Sequence, residues 1–158
     1  MKLRIRTGLV VSAVIAVVSL SGCVGAVPMA PAADANNPEC AAVTVRLPKL
    51  VADQAARETN AQATGAWGEP AAILLTCGVE VPGPTTNPCV TINNVDWIED
   101  DSLAPLYQYT TFGREPAVRV AVDSDVVSGS TVLVDLSSAV SVLPATGQCL
   151  GAIDGYNG

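Results

Sequence analysis

Ala72-Ile73-Leu74-Leu75-Thr76-Cys77-Gly78-Val79 is a nearly unbroken apolar run of strand length. Such a run fits a strand covered on both faces, so it predicts the centre of a sheet. Working outward from it, Val81 to Pro88 holds three prolines and one glycine and reads as a loop. Cys89 to Val95 is the next predicted strand, and Tyr107 to Phe112 another, closed by Gly113. Ala117 to Val122 alternates, with Val118, Val120 and Val122 on one face. Leu133, Leu136, Val140 and Leu143 then recur at helical spacing behind Ser130, which suits an N-cap. The β-branched Val132-Leu133-Val134 leaves a strand open as an alternative there.

Toward the N-terminus, Ala42 to Leu47 alternates and is rich in β-branched residues, so a strand is expected. Pro48 suits a first helical turn, and Leu47, Leu50, Val51 and Ala55 share a helical face through about Glu58. Thr59 to Pro70 is polar and connects this helix to the central run. The expected class is α+β: a mixed, mostly antiparallel sheet of about five strands, two helices packed on one face, and disulfide staples.

The first 22 residues have the form of an export signal. Lys2, Arg4 and Arg6 precede an uncharged stretch from Gly8 to Leu20. As a helix that stretch reaches only about 20 Å, short of a hydrocarbon core of about 30 Å, so a cleavable signal is favoured over a stable span. Leu20-Ser21-Gly22-Cys23 looks like a bacterial lipobox, in which the Cys23 thiol takes a diacylglycerol. The alternatives are an ordinary cut after Ala26, which gives a free secreted protein, and an uncleaved anchor. The expected organisation is a lipoprotein signal peptide over 1–22, a flexible tether over 23–39 and a single domain over 40–154.

Cysteine parity agrees with lipidation. Of five cysteines, Cys23 is used by the lipid, leaving Cys40, Cys77, Cys89 and Cys149 to close two bridges in an oxidising compartment. Cys77 and Cys89 bracket the proline-rich loop, and Cys40 and Cys149 flank the domain. Neighbouring strands and adjoining termini therefore favour the pairs Cys77–Cys89 and Cys40–Cys149.

Beyond residue 22 the chain carries five basic and fifteen acidic side chains, a formal charge of −10. Duplex binding needs Lys or Arg to displace counterions, so nucleic acid is excluded as a partner. Histidine is absent. That removes the commonest general base and metal ligand, and with them the Ser-His-Asp and Cys-His hydrolases. No cofactor is implied.

Leu47-Pro48, Trp67-Gly68-Glu69-Pro70, Leu74-Leu75-Thr76-Cys77-Gly78-Val79, Cys89, Val95-Asp96-Trp97, Thr110-Thr111-Phe112-Gly113-Arg114, Pro116 and Cys149 occur in this order. Together they resemble an actinobacterial exported family, domain of unknown function 3515, over Cys40 to Cys149. The family pattern often has Tyr at the position of Phe112. The resemblance implies an exported, often lipid-anchored domain and no assigned reaction.

Asp96, Trp97 and Arg114 are the candidate ligand-binding residues. Arg114 can grip a carboxylate or phosphate through two parallel hydrogen bonds; its structural alternative is a pair with Asp96 or Glu115. Asp96, Glu99, Asp100 and Asp101 cluster beside Trp97, but their spacing fits no calcium loop, and no metal site is expected. Trp67 and Trp97 are expected in the core or at its rim. A carboxylate pair can cleave glycosides, yet six aromatics in the mature chain are few for a sugar cleft. The expected function is a non-enzymatic, lipid-anchored module on the outer face of the cell membrane, binding an envelope protein or cell-wall component. The alternative is a carboxylate-dependent cell-wall hydrolase or small-ligand carrier using Asp96 and Arg114.

Overall fold

The structure is a computed structural model describing residues 25–150 and the backbone of 153–154. The signal peptide and Cys23 lie outside the described residues. Among those described, no helix is long and apolar enough to cross a membrane.

The central run is a strand, β4 (Ile73–Val79), with Ile73, Leu75 and Cys77 fully buried on one face. Its neighbours are β3 (Thr64–Trp67) and β8 (Ala117–Asp123), both antiparallel to it. The remaining strands are β1 (Leu50–Val51), β2 (Gln54–Arg57), β5 (Cys89–Ile92), β6 (Val95–Asp100), β7 (Leu106–Thr111) and β9 (Ile153–Asp154). They form one sheet of nine strands in the order β1-β2-β3-β4-β8-β7-β6-β5-β9. All pairs are antiparallel except β5 with β9. The sheet is thus mostly antiparallel, stapled by two disulfides and joined by two helices, but it has nine strands where about five were expected.

The difference arises at specific places. The segment expected as a helix over 48–58 is the β1–β2 hairpin, turning at Ala52 and Asp53 with φ of 46° and 61°. Two consecutive left-handed residues match the right-handed twist of the flanking strands. Leu50 is exposed and Val51 buried, an alternation of period two that the apolar spacing concealed. The polar stretch 59–70 contains β3, whose Trp67 is buried and donates its indole N–H to the Pro48 carbonyl at 2.9 Å. The predicted strand Cys89–Val95 is two strands, because Asn93 and Asn94 take φ of 49° and 62° and reverse the chain. Asparagine tolerates that region better than most residues.

The predicted strand Ala42–Leu47 overlaps a helix, α1 (Pro38–Thr44). The Asn37 side chain accepts from the Glu39 N–H at 3.0 Å and Pro38 starts the first turn, a start signal stronger than the β-branched pattern behind it. α2 (Gly129–Val140) has Ser128, not Ser130, as its N-cap residue. It buries Val132, Leu133, Leu136 and Val140, which settles the open strand alternative in favour of a helix. The helices touch each other and join the core formed by Ile73, Leu75, Val118, Val120, Val122 and Trp97, so they lie on one face of the sheet.

The stretch expected as a flexible tether over 23–39 lies against the domain from Val27 on. The Val27 N–H donates to Glu58 O at 2.8 Å, and the Asp34 N–H to Gly78 O at 3.1 Å. Ala35 is buried in the core. Apolar periodicity could not reveal this, because the segment is held by its backbone groups and by one small side chain. The disulfide pairing also differs: Cys40 joins Cys77 and Cys89 joins Cys149, with Cα separations of 5.6 and 6.4 Å. Cys77 points into the helix-covered face, where α1 carries Cys40. The strand order places β4 and β5 four neighbours apart, which rules out the expected Cys77–Cys89 bridge.

Candidate functional site

The helices cover one face of the sheet and leave the other open. On β6, Val95 and Trp97 point to the core, so Asp96, Ile98 and Asp100 point to the open face. Across the ladder, Asp96 sits opposite Thr91, and Ile98 opposite Cys89 and Thr110. Two segments rise over this face: the proline-rich loop 81–88 and the C-terminal stretch 145–150.

The C-terminal stretch is pinned at several points. Cys149 is bonded to Cys89. The Cys149 N–H donates to Asp96 Oδ2 at 2.7 Å, while Asp96 Oδ1 accepts from the Thr91 hydroxyl at 2.6 Å. The Thr146 N–H donates to Gly113 O at 2.7 Å, and Arg114 forms a β-bridge with Ala145. Gly113 has φ of 65° and lies against the backbone of Gly147, where a side chain at 113 has no room.

Between the two segments runs a trough made of adjoining cavities. The first, about 500 Å³, has Ile98 and Phe112 at its floor and is walled by Pro84, Thr85, Gln148 and Leu150. The second, also about 500 Å³, is lined by Thr91, Asn94, Asp96, Arg114 and Gln148, and shares Phe112 and Cys149 with the first. A third, about 380 Å³, continues under the proline loop to Asp100, Thr110 and Arg119. Sequence patterning missed Ile98, Phe112 and Gln148 as lining residues. The available signal was the proline loop running straight into Cys89.

Asp96 and Arg114 line one cavity. Their functional groups are largely committed within the fold. Both Asp96 oxygens accept hydrogen bonds. Arg114 is buried and donates to the carbonyls of Leu143 and Asn94, the latter at 2.9 Å. Burial lowers the Arg114 pKa, and the nearby Asp96 charge opposes that shift. Arg114 is thus structural, but its partners are backbone carbonyls rather than the expected Asp96 or Glu115. Among the described residues, the ion pair within contact distance is Arg57 with Glu69.

Trp97 is not in the trough. It is fully buried on the helix-covered face, as a core tryptophan, and its indole N–H has no partner there among the described residues. The acidic run beside it is split by the pleat. The Ser102 hydroxyl first, and then the Ser102 N–H, which donates to Asp100 Oδ1 at 2.9 Å, hold the Asp100 carboxyl below the usual range. No group of three potential metal ligands occurs among the described residues.

The model of a family described as a protein of unknown function (DUF3515) matches residues 5–147. No curated protein and no solved structure matches the chain.

Proposed function

From the premise that the chain belongs to the DUF3515 family, we propose that it is an exported, lipid-anchored binding module. In this reading it stands on the outer face of the cell membrane and holds an envelope protein or wall component in the trough over β5–β7. The observation that carries the reading is the trough itself. Its volume falls in the range of ligand-binding clefts, its floor is the apolar pair Ile98 and Phe112, and its rim offers hydroxyls and amides from Thr85, Asn87 and Gln148. The C-terminal wall is tied to the fold through the Cys89–Cys149 bond, which reduces the entropy that wall loses on binding.

The address rests on the charged leader, the short apolar stretch and the Leu20-Ser21-Gly22-Cys23 box. It is supported by the closure of the other four cysteines into two bridges, which leaves Cys23 as the odd thiol. A hydrolytic role finds less support. Histidine is absent, and Asp96 already accepts two hydrogen bonds, so its carboxylate is poorly placed as a general base.

A photo-cross-linking residue placed at Gln148 of the full chain, in cells that export it, tests the reading. The expected result is a discrete adduct with one envelope component, absent when the same residue replaces Ser138 on the exposed side of α2. Identical adduct patterns from the two positions overturn it.

A further inference from the structure

The anchor proposed above and the docked segment that begins at Gly25 together leave almost no slack. Arg57 donates through Nη2 to Gly25 O at 3.0 Å, and through Nη1 to Gly68 O at 3.0 Å, and it pairs with Glu69. The Val27 N–H bonds Glu58 O at 2.8 Å, and the Met29 N–H bonds the Asn60 side chain at 2.7 Å. The backbone is therefore fixed from Gly25, two residues beyond Cys23. Two extended residues span at most about 7 Å. The headgroup layer on each side of a bilayer is itself about 5–8 Å thick. A domain leashed so tightly cannot stand clear of the surface, and the edge that carries Gly25 must meet it.

The register identifies that edge. The parallel bridge between Val27 and Thr59 sets Gly25 level with Arg57. The Ala56 N–H donates to Lys49 O at 2.9 Å, so Lys49 lies opposite Ala56 on the segment that leads into β1, beside β2. Beside it Leu50 is 60% exposed and Val45 77% exposed, large apolar side chains turned to solvent, with Arg46 and Lys49 also exposed. Charge is distributed to match. Residues 45–69 hold three basic and three acidic side chains, while the rest of the chain after Cys23 holds two basic and twelve acidic. An anionic bilayer repels most of this protein; at the α1–β1 edge Arg46 and Lys49 largely offset Glu39, Asp53 and Asp135, the last of which accepts the Ala52 N–H, so this edge is the part it repels least.

We propose that the α1–β1 edge is a bilayer-contact face that takes anionic phospholipid headgroups around the anchor. Arg46 and Lys49 lie over phosphates, and Val45 and Leu50 rest at the headgroup boundary. The inference rests on the lipid-anchor reading. It goes further in fixing the orientation of the domain, since β7 lies five strand spacings, about 24 Å, from β1.

The test uses the acylated full chain reconstituted in vesicles of dibrominated phosphatidylcholine and phosphatidylglycerol. Tryptophan reporters are Val45→Trp, Leu50→Trp and, at the β6–β7 turn, Leu103→Trp. Native Trp67 and Trp97 are buried and give a constant background. Emission from the reporters at 45 and 50 is expected to fall at least twofold relative to unbrominated vesicles, with the reporter at 103 unchanged. Inserting about ten Gly and Ser residues after Val24 relaxes the leash and is expected to abolish the quenching while flotation persists. Replacing Arg46 and Lys49 by Gln is expected to weaken quenching with phosphatidylglycerol present and not on phosphatidylcholine alone. Equal quenching at all three reporters, or none at 45 and 50 in protein that floats with the vesicles, overturns the inference. Failure to float, together with an intact mass lacking acyl chains, instead overturns the anchor reading and removes the inference with it.

Discussion

The carboxylate of Asp96 accepts the backbone N–H of Cys149 at 2.7 Å, joining residues 53 positions apart on the open face of the sheet. The same carboxylate accepts from Thr91 Oγ1 at 2.6 Å, so one side chain ties β5, β6 and the C-terminal stretch together. Hydrogen bonds to a charged acceptor contribute about 1.5–3 kcal/mol each. Asp96→Asn keeps one acceptor and loses the charge. It is expected to cost about 1–2 kcal/mol in denaturant unfolding, and to speed amide exchange across 145–150 more than across α2.

The two disulfides make separable predictions. With sequence separations of 37 and 60, chain entropy assigns each about 4 kcal/mol. Cys40→Ala/Cys77→Ala and Cys89→Ala/Cys149→Ala are therefore expected to lose similar stability. Only the second pair lies at the trough, so only it is expected to release residues 145–150 to fast exchange. Cleavage at Glu80 separates Cys77 from Cys89, and an unreduced peptide map is then expected to link the Cys40 peptide to the Cys77 peptide.

The central strands were legible because Ile73–Val79 and Ala117–Asp123 carry their burial in their own pattern. The short elements were not. Leu50 and Val51 differ fully in burial, yet both are apolar, and a hairpin turning through Ala52-Asp53 carries none of the Gly or Asn that announces such turns. The cysteine pairing depends on strand order, which local sequence does not encode. Asp96 and Arg114 were legible as neighbours of one cavity; that Arg114 is spent on two carbonyls follows from where Leu143 and Asn94 fall in space. Trp97 went the other way because the pleat turns each successive side chain to the opposite face.

Tyr109 makes a prediction at alkaline pH. Burial first, and then the negative charge of Glu99, push its pKa from about 10 up to about 12. A pKa raised in the folded state gives stability that is fully present below pH 10 and is lost as the pH rises toward 12. Tyr109 is expected to ionise about two pH units late in a phenolate absorbance titration. Tyr109→Phe is expected to remove that late phase and to flatten the loss of stability between pH 10 and 12.

Gly78 holds the segment around Asp34 to the sheet. It sits at an irregularity in the β4–β8 ladder with φ of 87°, and its carbonyl accepts the Asp34 N–H at 3.1 Å. A Cβ at this position collides with the backbone of Asp34, and the left-handed φ disfavours any side chain independently of space. Gly78→Ala is expected to destabilise by about 3 kcal/mol in denaturant unfolding. The sheet itself can persist, because β4 keeps its antiparallel partners β3 and β8. The strain is then relieved by detaching the segment around Asp34, which is expected to become the first site of limited proteolysis. If the variant unfolds with the same midpoint as the parent and its 25–37 segment stays resistant, that segment is not held where Gly78 places it. The short leash between Cys23 and the fold then loses its structural basis.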